Sequence, residues 1–407
     1  MPDLSAKYVL VGGGVACVWA AIGIREHDKD GSILMVREEP HMPYDRPPLS
    51  KGFLGKPDVT LDDITSKLDS FYPDNNIGLE LGVRAEKLDP KHKMLTLSDG
   101  RTVGYEKLLI ATGARADTLH VHGDTRTGVH YLHTVDDAEG LRQAIVGAKI
   151  AVLIGGGYIS LEAGSQMIDK GLETTIVTKE DYPWGHFVSR ETGDFLRTFF
   201  ESKGARFVVG ETATSIMGGP VAVTGAGAKL PGDVVIIGVG VSPNVELAAG
   251  GGLESDPRHG VYADESLRTN DPDIYTAGDV AYFYDRTIGK RWRADHHLNA
   301  KWQGKLAGEN MAGADKQYDQ VAYFFSDMFD LHMCLRGDAE VMGNTAIYGN
   351  LAEGEFVEVY GDDGGVVHKA IAFSKDEPKL DKISDKLEEL IRSKKKIADV
   401  TADAFEV

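Results

Sequence analysis

Short apolar runs that stop at glycine punctuate the first half of the chain. Tyr8–Val11 runs into Gly12-Gly13-Gly14, and Ser32–Val36 follows Gly31 and ends at Arg37-Glu38. Tyr105–Ala111 closes on Thr112-Gly113. Runs this short, without polar alternation, predict strands buried on both faces, as in a parallel sheet. The small-residue stretch Val15–Ile24 between the first two predicts a helix. Leu79–Leu81, Val83–Leu88 and Met94–Leu97 predict strands of a β-meander, broken by Gly82, Asp89-Pro90 and Ser98-Asp99-Gly100. The opening pattern then recurs 143 residues on: strand Ile150–Ile154, turn Gly155-Gly156-Gly157, helix Leu161–Lys170, strand Thr174–Val177. A strand within Gly232–Gly240 closes this second unit, and another within Thr269–Asp279 ends at Gly278-Asp279. Leu298–Met311 predicts a helix. From Gln317 the character changes to strand-like Val321–Phe325, Phe356–Tyr360 and Val366–Ser374, then a charged helix Lys379–Lys396 with a basic end.

Strand, glycine turn, helix, strand and acid is a unit that binds a dinucleotide. The turn lets backbone approach a pyrophosphate, and the helix N-terminus offers it free N–H groups. Glu38 stands 26 residues after Gly12, and Glu180 stands 25 after Gly155, each placed to accept from a ribose hydroxyl. Cys17 replaces the third glycine of the first turn, and Ser160 stands where the second fingerprint usually has glycine. Two such units in one chain imply two bound dinucleotides. The acid after the second strand is read from Thr178-Lys179-Glu180: Glu180 suits the 2′-hydroxyl of NADH, whereas Thr178 and Lys179 suit the 2′-phosphate of NADPH, and spacing favours NADH. Pro40, Pro43, Pro47 and Pro48 make the segment before Lys51 stiff and extended, without helix. Arg46 within it is a natural pyrophosphate contact, and Lys51 a point charge fit to face a redox centre.

At 407 residues the chain calls for two or three domains. A net charge of −19 argues against nucleic acid as a partner. No apolar run is of membrane-spanning length, and the N-terminus lacks a signal-peptide pattern, so a cytoplasmic protein is expected. The two cysteines, Cys17 and Cys334, form no C-x-x-C or C-x4-C pair, which predicts neither a local redox disulfide nor a metal site. Asp295-His296-His297 has no third histidine or cysteine near it at ligand spacing, so no metal is expected there.

These segments together resemble the FAD-dependent pyridine-nucleotide reductases. The stretch Pro43-Tyr44-Asp45-Arg46-Pro47-Pro48-Leu49-Ser50-Lys51, without a redox cysteine pair, is similar to one branch of them. That branch holds oxygenase-coupled ferredoxin reductases, apoptosis-inducing factor and monodehydroascorbate reductase. His296-His297 with Leu306–Met311 is similar to apoptosis-inducing factor; Tyr323–Ser326 and Phe329–Leu331 look more like monodehydroascorbate reductase. The resemblance covers about Tyr8 to Gly337. It implies an α/β fold: two Rossmann-like three-layer domains with β-meanders and a smaller C-terminal α+β domain. The expected domains are 1–118 with 244–313 for FAD, 119–243 for NAD(P)H, and 314–407.

By this resemblance Gly12, Gly14, Glu38, Arg46, Lys51, Val83, Ala111 and Asp279 hold FAD, and Gly155, Gly157 and Glu180 hold NADH, with NADPH possible. Glu162 approaches the nicotinamide and Lys51, and the ring of Tyr158 covers the flavin until the nicotinamide displaces it. His296, Trp302, Phe324 and Phe325 are candidates to wall the flavin's far face. The implied activity passes hydride from NAD(P)H to FAD and electrons directly to an acceptor, which is a ferredoxin-type iron–sulfur protein, a quinone or a small radical. Arg286, Lys290, Arg291 and Arg293 are candidates for the basic patch that an acidic ferredoxin would need. The alternative is a slowly turning NADH sensor that resembles apoptosis-inducing factor. A monomer or homodimer is expected.

Overall fold

The opening apolar run is strand β1 (Leu4–Val11), and its burial follows from its neighbours. β2 (Ile33–Arg37) pairs with it in parallel on one side and β6 (Thr102–Ile110) on the other. Tyr8 to Val11 therefore have no solvent side. The computed structural model describes residues 2–406. The chain divides into two compact units. The first comprises residues up to 45, 61–115 and 242–320; the second comprises 46–60, 116–241 and 321 onward.

In the first unit the sheet runs β3 (Ile77–Leu81), β2, β1, β6, β5 (Met94–Leu97), β4 (Ala85–Asp89). Strand Ile274–Thr276 joins the carboxyl half of β6 in parallel, where β5 has ended. The segment Leu79–Leu81 corrects the expected meander. It lies in β3, a parallel partner of β2, and Gly82-Val83 is a connection; the meander is β4–β5–β6. Helix α1 (Val15–His27) packs on the helix His297–Met311 at unusually short range. A side chain at Gly304 would collide with the backbone of Ala16, and one at Gly308 with that of Ala20. An apolar core of Val9, Val11, Val36, Leu95, Leu108 and Ile110 continues into Leu88, Leu247 and Val261.

In the second unit a parallel sheet runs Ala205–Val209, Glu173–Thr178, Ile150–Ile154, Val234–Ile237, Val129–Tyr131. A separate antiparallel meander of Ala213–Met217, Val221–Thr224 and Lys229–Pro231 follows the predicted repeat. The helix after the glycines spans Tyr158–Asp169, starting three residues earlier than expected. Two helices went unpredicted: Val135–Ala144, opened by a Thr134–Asp137 capping box, and Arg190–Ser202, capped by Ser189. The proline segment does not stay extended. Pro47–Ser50 is a 3-10 turn, because prolines at a helix start forfeit no hydrogen bond, whereas the helical turn Gly52–Gly55 starts after Lys51, where a helix is expected.

The tail forms a five-stranded antiparallel sheet in the order Tyr323–Met328, Leu331–Gly337, Val367–Ser374, Glu355–Gly361, Asn344–Asn350. Helix Glu377–Arg392 lays Leu380, Ile383, Leu387, Leu390 and Ile391 on it, a spacing of three and four. Asp376 caps its start. The helix ends at Arg392, so Lys394-Lys395-Lys396 lie beyond it rather than on its last turn; Lys394 takes left-handed backbone there. Among the described residues no helix is long and apolar enough to cross a membrane.

Candidate functional site

The first glycine turn is built by three different constraints. Gly12 has φ +129°, and a side chain there would collide with the Ala111 carbonyl at the end of β6. Under Gly13 lies the Arg37 side chain, which donates from Nη1 to the Gly13 carbonyl at 2.5 Å. Gly14 has open space where a side chain would be, and it opens α1 without a side-chain cap. The free N–H groups of that first turn and the open face beside Gly14 suit a pyrophosphate. Cys17 does more than spare room for packing: its Sγ accepts from the Gly13 N–H at 3.2 Å, and burial pushes its thiol up to about 12. Glu38 is exposed at the end of β2, with its carboxylate available to a ribose. Val83 donates its N–H to the Arg37 carbonyl at 2.9 Å, and Ala111 to the Val11 carbonyl at 2.8 Å, so both border the same strand ends. These residues fit FAD.

Arg37 and Glu39 were not singled out from sequence. Arg37 is buried beneath the turn, 3.2 Å from Glu39 and stacked over the Tyr44 ring, whose hydroxyl donates to Glu39. A basic residue next to Glu38, the acid that spacing picks out, was the available signal. Asp279 accepts a long 3.5 Å bond from the His296 N–H. His296 has φ +144°, a strained conformation for a non-glycine, at the start of helix His297–Met311. Trp302 is half-buried on that helix. Asp295 beside them has its carboxyl pushed up to about 8 by burial and then by Asp279, against Arg293 at 2.9 Å. Burial also lowers His297 below its usual range.

The second turn repeats the design. Gly155, at φ +119°, abuts the Gly238 carbonyl at the end of the neighbouring strand. Under Gly156 lies the Thr178 side chain, and Gly157 is open and uncapped at the start of helix Tyr158–Asp169. Thr178 donates to Glu180 at 2.5 Å and so orients its carboxylate, while Lys179 is exposed. Ser160 is buried against Gly155 and Gly238, filling the place of the usual glycine. Tyr158 packs its ring 5.0 Å from Phe187 and 4.9 Å from Trp184, and burial raises its phenol.

Lys51 and Glu162 meet in the second unit. Glu162, one helical turn after Tyr158, is 3% exposed, and its Oε1 lies 2.9 Å from Lys51 Nζ. Two hydroxyls complete the carboxylate: Ser326 donates to Oε1 at 2.7 Å and Ser50 to Oε2 at 2.5 Å. Three donors from two segments satisfy a buried anion that would otherwise be costly. Neither serine was foreseen; Ser50 precedes Lys51, but Ser326 is far away in sequence. Phe325 lies under Lys51 at 5.2 Å, and Phe324 is buried on the same strand. Arg46 belongs to this unit and donates to the His133 carbonyl. Of the predicted basic patch, Arg286 and Arg291 are exposed in the first unit, Lys290 is half-buried, and Arg293 turns to Asp295.

The model of the pyridine nucleotide-disulphide oxidoreductase family matches residues 6–304. The rubredoxin-NAD(+) reductase of Pseudomonas putida is 34% identical over 324 residues, 79% of this chain and 83% of that one. The ferredoxin–NAD(+) reductase component of the anthranilate 1,2-dioxygenase system of Burkholderia cepacia is 31% identical over 368 residues, 89% of this chain and 90% of that one. The crystal structure of the ferredoxin reductase for the CYP199A2 system of Rhodopseudomonas palustris superimposes with a TM-score of 0.87 at 30% identity, over 96% of this chain and all of that one. The chain belongs to the pyridine nucleotide-disulphide oxidoreductase family and is an oxidoreductase whose cofactors are FAD and NADH.

Proposed function

We propose that this oxidoreductase passes electrons from NADH through FAD to a small iron-containing redox protein of ferredoxin or rubredoxin type. The observation that carries the reading is the Lys51–Glu162 pair, locked by two serines, in a chain whose two cysteines are both buried and 317 positions apart. Cys17 and Cys334 thiols are both pushed up to about 12 by burial, which leaves them unreactive. No dithiol relay is available, so electrons leave the cofactor directly. The names of the relatives, reductases of rubredoxin and ferredoxin, support an acceptor of that class.

In this reading Gly12, Gly14, Glu38, Val83, Ala111, Asp279 and His296 hold FAD, and Gly155, Gly157, Tyr158 and Glu180 hold NADH. FAD supplies hydride acceptance from NADH and one-electron release. Glu162 accepts from Lys51 and from two serine hydroxyls, and so holds the Lys51 side chain in place. Lys51 is thereby a fixed cation for the redox step, with Phe324 and Phe325 as apolar walls. Arg286, Lys290 and Arg291 are the docking charges for an acidic acceptor, whose encounter they would steer.

The test is anaerobic reduction by NADH in a stopped-flow cell, followed by mixing with ferredoxin, rubredoxin, a quinone or ferricyanide. Reoxidation is expected within seconds by an iron protein, at a rate that falls as salt is added. Reoxidation by the quinone alone would move the acceptor to the small molecules. A reduced complex that no acceptor discharges would make the protein a sensor.

A further inference from the structure

One lysine of the second unit has no solvent exposure at all. Lys369, on strand Val367–Ser374, donates from Nζ to the Phe187 carbonyl at 3.0 Å and to the Ala339 carbonyl at 3.4 Å. It sits 3.8 Å from the centre of the Tyr360 ring, a cation–π distance. The Tyr360 hydroxyl accepts from the Ser189 N–H at 2.9 Å and donates to Glu358 at 2.5 Å. Glu358, fully buried, also accepts from the Thr192 hydroxyl at 2.7 Å. Burying ionisable groups at this density is costly, Glu358 Oε1 finds no hydrogen-bond partner among the described residues, and a core of apolar residues would be simpler. The polar cluster therefore calls for a reason.

Its protein partners give one. Phe187, Ser189 and Thr192 lie in a single stretch that leads from the Trp184 loop into helix Arg190–Ser202. That loop is pinned at its other end to the second glycine turn. Trp184, buried and left-handed at φ +59°, donates its N–H to the Gly156 carbonyl at 3.2 Å. The Phe187 ring stacks on Tyr158, the residue that opens the cradle helix, with 21° between the planes. A left-handed tryptophan is a strained arrangement that must be held by its surroundings. Lys369 and Tyr360 bond Phe187 and Ser189, which follow it in the loop, from the sheet side.

We propose that Lys369, with Tyr360 and Glu358, is a positioning group for the nicotinamide nucleotide, setting the Trp184–Phe187 loop against Gly156 and Tyr158. This rests on the assignment of the second cradle to NADH. The class of ligand served is a nicotinamide dinucleotide. The group acts on binding, because its contacts lead through the Trp184–Phe187 loop to Gly156 and Tyr158 and not to the Lys51–Glu162 pair.

The experiment is calorimetric titration of NAD+ into the oxidised holoenzyme, with steady-state NADH kinetics beside it. Lys369→Met is expected to raise the NAD+ dissociation constant and the NADH KM about tenfold while kcat stays within about twofold. Tyr360→Phe keeps the ring but drops the bonds to Ser189 and Glu358, and is expected to raise both about threefold. FAD content and visible spectrum should match the wild type in each. Should Lys369→Met fail to fold, Tyr360→Phe and Thr192→Val carry the comparison. Wild-type affinity for NAD+ in the folded variants, or a loss in kcat alone, overturns the positioning role. If the wild-type protein itself binds no NAD+, the assignment of the cradle fails instead.

Discussion

Arg37 stands one position before the acid picked out by spacing, and it is Arg37 that goes inside while Glu38 stays at the surface. Spacing from Gly12 gave the strand end correctly, since glycine turns and apolar runs are local signals. What lies under the turn was not legible, because it depends on which side of β2 faces the glycines. The same holds at Glu162. Its pairing with Lys51 came only through a family resemblance, and the two serines that complete its carboxylate sit 112 and 164 positions away. Lys51→Met leaves that carboxylate with two donors and no cation. We expect FAD to be retained and the rate of cofactor reduction by NADH to fall about tenfold or more, read by stopped-flow absorbance. An unchanged rate would remove Lys51 from the redox step.

Elements with strong periodicity were readable, and those defined by their partners were not. Helix Glu377–Arg392 shows its apolar stripe in sequence, as do the parallel strands. The strands Leu331–Gly337 and Asn344–Asn350 were missed, the second because it is an edge strand with no clear alternation. The tight crossing of α1 and helix His297–Met311 was hidden too, though Gly304 and Gly308, four apart, were the clue: small residues at helical spacing allow backbones to touch. Gly308→Val puts a branched side chain against the Ala20 backbone. It should destabilise the first unit by about 1–3 kcal/mol or more, because neither helix can retreat without opening the core. The readout is a lower thermal midpoint with easier FAD loss, while NAD+ affinity at the second cradle is unchanged.

For the molecule as a whole, two groups with shifted ionisation, Asp295 and Lys369, shape the pH response. Asp295, with its carboxyl pushed up to about 8, keeps a proton in the folded state that the unfolded chain gives up near pH 4. Its contribution to stability is therefore present at low pH and is lost as pH rises through about 8. Lys369 works the other way: burial pulls it down to about 7, so the folded protein sheds a proton that the unfolded chain keeps, and stability from this group grows between about pH 7 and 10. Asp295→Asn should flatten the fall in thermal midpoint between about pH 5 and 8, measured side by side with the wild type. A parallel pair of curves would mean that Asp295 titrates normally.

The glycine contacts between α1 and helix His297–Met311 also bear on how the protein is made. A ribosome emits Gly12-Gly13-Gly14 first, and the helix that buttresses α1 appears only some three hundred codons later. At roughly 5–20 residues per second that is a wait of about 15–60 s, during which the first turn and its strands lack their proper cover. Flavin capture should therefore be a late event of biosynthesis, and nascent chains stalled before Met311 should emerge colourless and in need of a chaperone.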